Sequence, residues 1–306
     1  MAATMIIIPV LCNVGGATGF FTTDVMLLVL GVSSGFCQGT TYQMAAAFPP
    51  EYMSAVMFGN GLSGFGSNCL RAATLLIWPA DKSEHNSFIG ALALYMIAFL
   101  VLASCALAQA CLRKNAYAQF YLKQTESQRS RTADDMSGGS VLLSNRAASA
   151  NASNNVSQTI EQKSLKKYFA QAMVNFRSTD GLLWALVYVF VLTFICYPGL
   201  ATDDTIKFME SVNNYASWHV LFIQATFNLL DTIGRYMGGV PCLILRNTTI
   251  KISAGLRTLF IATFCLISFD VAPSGLFSAD WFVILNLALF SVTNGYVSTL
   301  CAVKAP

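Results

Sequence analysis

Residues 217–243 read SWHVLFIQATFNLLDTIGRYMGGVPCL, an apolar run long enough to cross a bilayer and interrupted by a few polar side chains. Gln224, Asn228, Asp231 and Arg235 stand 4, 3 and 4 residues apart, which places all of them on one stripe of a single helix. An ionised side chain in hydrocarbon is costly unless it is paired or wet, so this stripe must meet other helices or a cavity and never lipid. Asp231 and Arg235, one turn apart, can neutralise each other within the helix. Two readings of the stripe remain. A packing clamp between helices needs only the charged pair, whereas a water-filled path also needs donors and acceptors at further depths, which Gln224 and Asn228 would supply.

Apolar runs of similar length recur along almost the whole chain, at about 3–20, 25–48, 54–78, 88–112, 181–200, 256–272 and 281–302 beside the one quoted. They are continuous rather than alternating, so they predict helices and not barrel strands. The composition agrees: of 306 residues, 55% are hydrophobic and only 11% are charged, and the mean hydropathy is +0.56. An ordinary soluble domain carries about a quarter charged residues, so a water-soluble globular protein is excluded. The expectation is an all-α polytopic membrane protein of about eight spans. Between the first two, Thr22, Thr23 and Asp24 predict a break.

Ten of the 18 Lys and Arg residues lie between Arg113 and Asp180. If the spans alternate, Arg246, Lys251, Arg257 and Lys304 fall on that same side and only Lys82 and Lys207 on the other, so both termini and the 113–180 segment are expected in the cytoplasm. Trp78, Trp184, Trp218 and Trp281 fall at span ends, where indole favours the headgroup boundary. The segment divides the chain into an N-terminal membrane half (1–112), a linker (113–180) and a C-terminal membrane half (181–306). Residues Ser127 to Ser157 are rich in Ser, Asn and Ala and poor in aromatics, a composition that predicts disorder. Ile160, Leu165, Phe169, Met173 and Phe176 then share one side of a short helix whose other side carries Lys163, Lys166 and Lys167, which fits an interfacial position.

With a net charge of +3 and most cations confined to one loop, no basic surface for nucleic acid is expected. The nine cysteines fall singly, mostly inside apolar runs, and read as small buried hydrophobes. Only His85 and His219 are present, far apart, so no metal site and no cofactor are expected. Gly59, Gly61 and Gly64 spell G-x-G-x-x-G, but the nucleotide-binding form of that motif needs a preceding strand and a soluble crevice. Inside a membrane span such glycines let helices approach closely or act as a hinge. Gln38 and Arg71 are the remaining polar residues at span depth, and each has a packing reading beside a cavity or gate reading.

These residues carry a resemblance. The stretches Gly35 to Gly39 (GFCQG), Phe48 to Ala55 (FPPEYMSA) and Gly59 to Arg71 (GNGLSGFGSNCLR) are similar to the fourth and fifth spans of the equilibrative nucleoside transporter family, in its plant and protist form. Phe227 to Arg235 (FNLLDTIGR) resembles the family's eighth span, Ser291 to Leu300 (SVTNGYVSTL) its tenth, and Tyr197 to Gly199 the turn ending its seventh. The resemblance implies an eleven-span, major-facilitator-like bundle whose two halves rock about a central substrate. It implies that Gln38 addresses a nucleobase while Asp231 and Arg235 hold ribose hydroxyls. Asn228 lies beside them, and Tyr197, Gln224 and Arg71 are candidates for cavity or gate.

By the same alignment the chain begins at the family's third span and stops after the tenth, and Ser34 stands where the mammalian pattern has glycine. The resulting expectation is transport of nucleosides or nucleobases, equilibrative or proton-coupled, most naturally at the plasma membrane, with the lipid bilayer as the other partner. Two alternatives stay open from the residues: a non-transporting truncated paralogue with a structural or regulatory role, and an intramembrane enzyme. The enzyme would need paired aspartates, a Ser/His arrangement or a metal in the spans, and a single aspartate lies clearly inside one.

Overall fold

The computed structural model describes residues 16–79, 84–125, 181–203, 215–269 and 275–304, together with positions 127, 173 and 179. Most of the expected first span and nearly all of the 127–180 stretch lie outside the described residues. Within them the helices are α1 (Gly16–Ala45), α2 (Pro50–Ile77), α3 (Glu84–Lys114), α4 (Leu182–Ile195), α5 (Tyr215–Gly239), α6 (Asn247–Leu256), α7 (Leu259–Ser268) and α8 (Asp280–Lys304). The chain is all-α, and five segments are long and apolar enough to span a bilayer: Gly19–Ala45, His85–Lys114, Leu182–Leu200, Asn247–Ser268 and Asp280–Lys304. α2 and α5 are equally long but owe their lower apolarity to the polar residues that make them interesting.

Local chemistry sets several of the ends. Pro50 opens α2, where the missing N–H is not needed, and Glu51 in the first turn complements the positive end of the helix dipole. Asp280 and Lys304 do the same at the two ends of α8. α4 follows Gly181 at φ 72°, a left-handed conformation that suits glycine. It ends where Tyr197 leaves helical geometry (φ −131°, ψ 135°) ahead of Pro198, which has no N–H to continue the ladder. Trp184 and Trp281 sit in the first turns of their helices, 61% and 60% exposed.

Three expectations from the sequence are corrected. No break occurs at Thr22 to Asp24: α1 runs through, because Thr22 and Thr23 return their hydroxyls to the Gly19 carbonyl and so cost the helix no donor. The seventh expected span begins earlier than 256, since helix starts at Asn247 and Arg257 falls in the middle of the Asn247–Ser268 segment rather than at its first turn. The buried Ile250 and Ala254 explain this, because they anchor the polar first turns against α4 and α8. The cysteines divide: Cys196 and Cys301 are buried, whereas Cys37, Cys69, Cys105, Cys111 and Cys242 lie on the outer surface.

α5 is the centre of the described bundle, packed on one side by α2 and on another by α8. α4, α6 and α7 close around α8, while α1 and α3 flank α2. The core of the C-terminal half is built in layers. Cys196, Ile223, Phe227, Phe264, Val283, Leu287 and Phe290 form one apolar cluster, and Leu182, Ala185, Val189, Ile250, Ala254, Val297 and Leu300 form a second. Between these clusters lies a layer of polar residues from α4, α5, α8 and the join of α6 and α7. Beyond α3, the rings of Phe48, Tyr52, Tyr117 and Tyr121 gather at one end of α2, with the Tyr52 and Tyr117 hydroxyls 3.5 Å apart.

Candidate functional site

The polar layer consists of Thr193 on α4, Asp231 and Arg235 on α5, Arg257 at the join of α6 and α7, and Asn294 on α8. All are buried, with Asp231 at 4%, Arg235 at 5%, Arg257 at 2% and Asn294 at 2% exposure. Arg235 Nε donates to Asp231 Oδ2 at 2.6 Å, so the pair suggested by the i,i+4 spacing is formed within α5. The other carboxylate oxygen receives Asn294 Nδ2 at 2.8 Å. Asn294 Oδ1 in turn faces the Thr193 hydroxyl at 2.6 Å and Arg257 Nη2 at 3.3 Å. Arg257 Nη1 donates to the Phe290 carbonyl at 2.8 Å and to Thr293 Oγ1 at 2.6 Å, and its guanidinium carbon lies 4.6 Å from the centre of the Phe290 ring.

Glycines make this geometry accessible. A Cβ on Gly295 would overlap the Asp231 carbonyl, and one on Gly234 would overlap the carbonyl of Val292, so α5 and α8 cross backbone to backbone beside the charged pair. That closeness is what lets a side chain as short as Asn294 reach Asp231. On the other side of α5, a Cβ on Gly61 would stand 2.9 Å from Arg235 Cδ, and one on Gly64 would stand 2.9 Å from Asn228 Oδ1. The glycine motif of α2 is therefore the smooth surface on which the polar stripe of α5 rests, and Gly59, with nothing within 4 Å, takes no part in that contact.

Asp231 and Arg235 consequently occupy the seam between α2 and α8, with Asp231 turned to α8 and Arg235 pressed on α2. Arg235 Nη1 is buried with no hydrogen-bond partner, a strong donor held in reserve. Asn228 and Gln224 continue the stripe, both half-buried. Tyr197 lies flat on Phe227, with ring centres 3.9 Å apart and planes 10° apart, at the edge of the apolar cluster above the layer. Gln38 belongs to a separate chain of contacts: its amide donates to the Tyr42 hydroxyl at 2.9 Å, which also receives Asn60 Nδ2 at 3.3 Å, and it is exposed on α1. Arg71 is half-buried on α2 and forms no ion pair among the described residues.

A groove of about 490 Å³ between α4 and α6, lined by Trp184, Tyr188, Val191 and Lys251, opens elsewhere, on the outer surface, and does not adjoin the pair. No cluster of three or more His, Cys, Asp or Glu residues capable of holding a metal occurs among the described residues.

Reading the sequence reached Asp231 and Arg235 but missed Arg257, Asn294 and Thr193 as parts of the same layer. Asn294 lies in the quoted SVTNGYVSTL stretch, and the polar run through its neighbours was the available sign. Arg257 was hidden by the late start assigned to its span.

The family described as nucleoside transporter matches residues 24–306. The chain is 24% identical over 300 residues to equilibrative nucleoside transporter 1 of Homo sapiens, a match covering 95% of this chain and 62% of that protein. Equilibrative nucleotide transporter 2 of Arabidopsis thaliana is 23% identical over 301 residues (95% of this chain, 65% of that protein). Adenosine transporter 1 of Crithidia fasciculata is 22% identical over 337 residues (95% and 64%). The chain thus spans less than two thirds of the length of these relatives. A helical membrane bundle with a buried charged pair at its central seam, matched by the family over nearly its whole length, belongs to the nucleoside transporter family.

Proposed function

We propose that this chain serves in the transport of nucleosides or nucleobases across a membrane by alternating access, with the C-terminal half (181–306) and the N-terminal half (1–112) as the two rocking bodies joined by the 113–180 linker. The observation that carries the reading is the buried Asp231–Arg235 pair, whose guanidinium keeps one N–H unpartnered at the seam between α2 and α8. A nucleoside is uncharged and dense in hydroxyl and ring nitrogen groups, so it calls for fixed donors and acceptors. The carboxylate accepts from ribose hydroxyls and the spare guanidinium N–H donates to them. Asn228 extends this set along α5, Gln38 addresses the base from α1, and Tyr197, Gln224 and Arg71 line or gate the approach.

Transport down the concentration gradient is the default mechanism, with coupling to protons as its variant. The plasma membrane, with both termini in the cytoplasm, is the proposed setting. The test is uptake of radiolabelled adenosine, uridine and hypoxanthine into transport-deficient cells that express the chain, with its amount at the membrane measured. Saturable uptake competed by unlabelled nucleoside is expected. Uptake that rises with an imposed inward proton gradient selects the coupled variant, and lack of saturable uptake from a well-expressed chain rejects the reading.

Removal of residues 127–157 is expected to leave uptake nearly intact, because their composition suits a tether that contributes no buried surface. The same uptake assay checks it. Complete loss with normal membrane expression would show that the segment does more than connect the halves.

A further inference from the structure

The layer holds two guanidinium groups and one carboxylate. Arg235 has that carboxylate as its ion-pair partner, and Arg257, the more deeply buried of the two, has none within 4.0 Å among the described residues. A charge sunk this far must either be compensated or serve a purpose that outweighs its cost. Local compensation is present: the Phe290 carbonyl, Thr293, Thr193 and the face of the Phe290 ring surround it. The remaining link leads to Asn294, and through that amide to Asp231.

The Asn294 amide can bridge in one orientation only. Its oxygen receives Arg257 and Thr193, which leaves its nitrogen to donate to Asp231. Were the amide reversed, its N–H groups would point at a guanidinium and its oxygen at a carboxylate, two repulsive contacts in a low dielectric. Arg257 and Asp231 thus fix the direction of Asn294 from its two ends, and Asn294 joins the guanidinium to one oxygen of the carboxylate. With Oδ1 held by Asn294 and Oδ2 by Arg235, the carboxylate plane is set by two donors from different helices.

We propose that Arg257 is a positioning residue for substrate recognition: acting in series through Asn294, it holds the Asp231 carboxylate in the orientation that a nucleoside hydroxyl meets. This rests on the nucleoside reading above. It assigns to Arg257 no contact with substrate. It also makes the join between α6 and α7, where Arg257 sits, the outer support of a site that lies two helices away.

The test compares the unaltered chain with Arg257→Lys, which keeps the charge and loses the planar fork, with Asn294→Ala, which cuts the link and spares the other contacts of Arg257, and with the double variant. Initial rates of adenosine uptake are normalised to protein at the membrane. Each single change is expected to raise KM about tenfold, the loss typical of one hydrogen bond to a charged group, with a much smaller change in the normalised maximal rate. Since the two residues act in series, the double variant is expected to be no worse than the more affected single one. Unchanged KM in both single variants overturns the proposal, as do effects that multiply in the double variant. A fall in membrane amount with KM preserved also overturns it, because that is the mark of a packing role alone.

If the unaltered chain takes up no nucleoside or base, the transport reading fails, and thermal unfolding of the purified chain decides the link by itself. Arg257→Lys and Asp231→Asn then lower the melting temperature non-additively if the two are connected, and additively if they are not, which overturns the connection as well.

Discussion

An Arg235→Leu protein is expected to lose saturable nucleoside uptake by about 100-fold or more while reaching the membrane in near-normal amount. Two effects add in the same direction. The spare Nη1 donor disappears, and with it the group best placed to meet a ribose hydroxyl at the seam. The Asp231 carboxylate then retains Asn294 but loses one of the two donors that set its plane. Leucine fills part of the space beside Gly61, so the helices need not separate. An Arg235→Lys protein keeps the charge but lacks the fork and should fall between the two. Uptake unchanged in the leucine variant would remove Arg235 from the site.

The second large effect is on folding. Gly295→Val would place a branched side chain where even a single Cβ overlaps the Asp231 carbonyl, so α5 and α8 would have to part along their closest approach. Overpacking of this kind costs about 3 kcal/mol or more, and here separation also draws Asn294 away from Asp231. The expected result is a marked loss of monodisperse protein in detergent and a lower apparent melting temperature. Gly66→Ala is the matched control, because a Cβ at that position meets nothing within 4 Å. It should be neutral or slightly stabilising, as alanine favours helix over glycine. Equal stability of the valine variant and the parent would show that the α5–α8 crossing is looser than described.

How much could be read beforehand follows from what spacing encodes. The Asp231–Arg235 contact lies within one helix, where positions four apart are always neighbours, so it was legible from the residues alone. The density of small residues around Gly61 similarly announced close packing. Which helix would supply the other half of each contact was not legible, because the axial offset between two helices depends on how whole side-chain layers interlock. Asn294 was visible as a polar residue in an apolar run, yet nothing in its own helix points to Asp231. Arg257 was misplaced for a related reason. Asn247, Thr248, Thr249 and Lys251 make the first turns of α6 look like a loop by hydropathy, and only the burial of Ile250 and Ala254 against neighbouring helices makes them helical. Once the start moves back to Asn247, the arginine moves from the end of the apolar segment to its middle.

The three unlike sides of α5 limit which motions it can make. Asn228, Thr232 and Arg235 bear on α2; Asp231, Gly234 and Gly238 bear on α8; Leu229, Ile233 and Tyr236 point outward, exposed by 41%, 43% and 62%. Successive residues turn by about 100°, so a roll of this helix by a single position would carry Arg235 out of the seam and swing a leucine or isoleucine into it. Rolling is thus the one degree of freedom closed to α5. Tilting and axial sliding, by contrast, keep each side against its own neighbour. In either motion the smooth track is on α2, where Gly61 and Gly64 present no side chain to Asn228, Thr232 and Arg235 of α5.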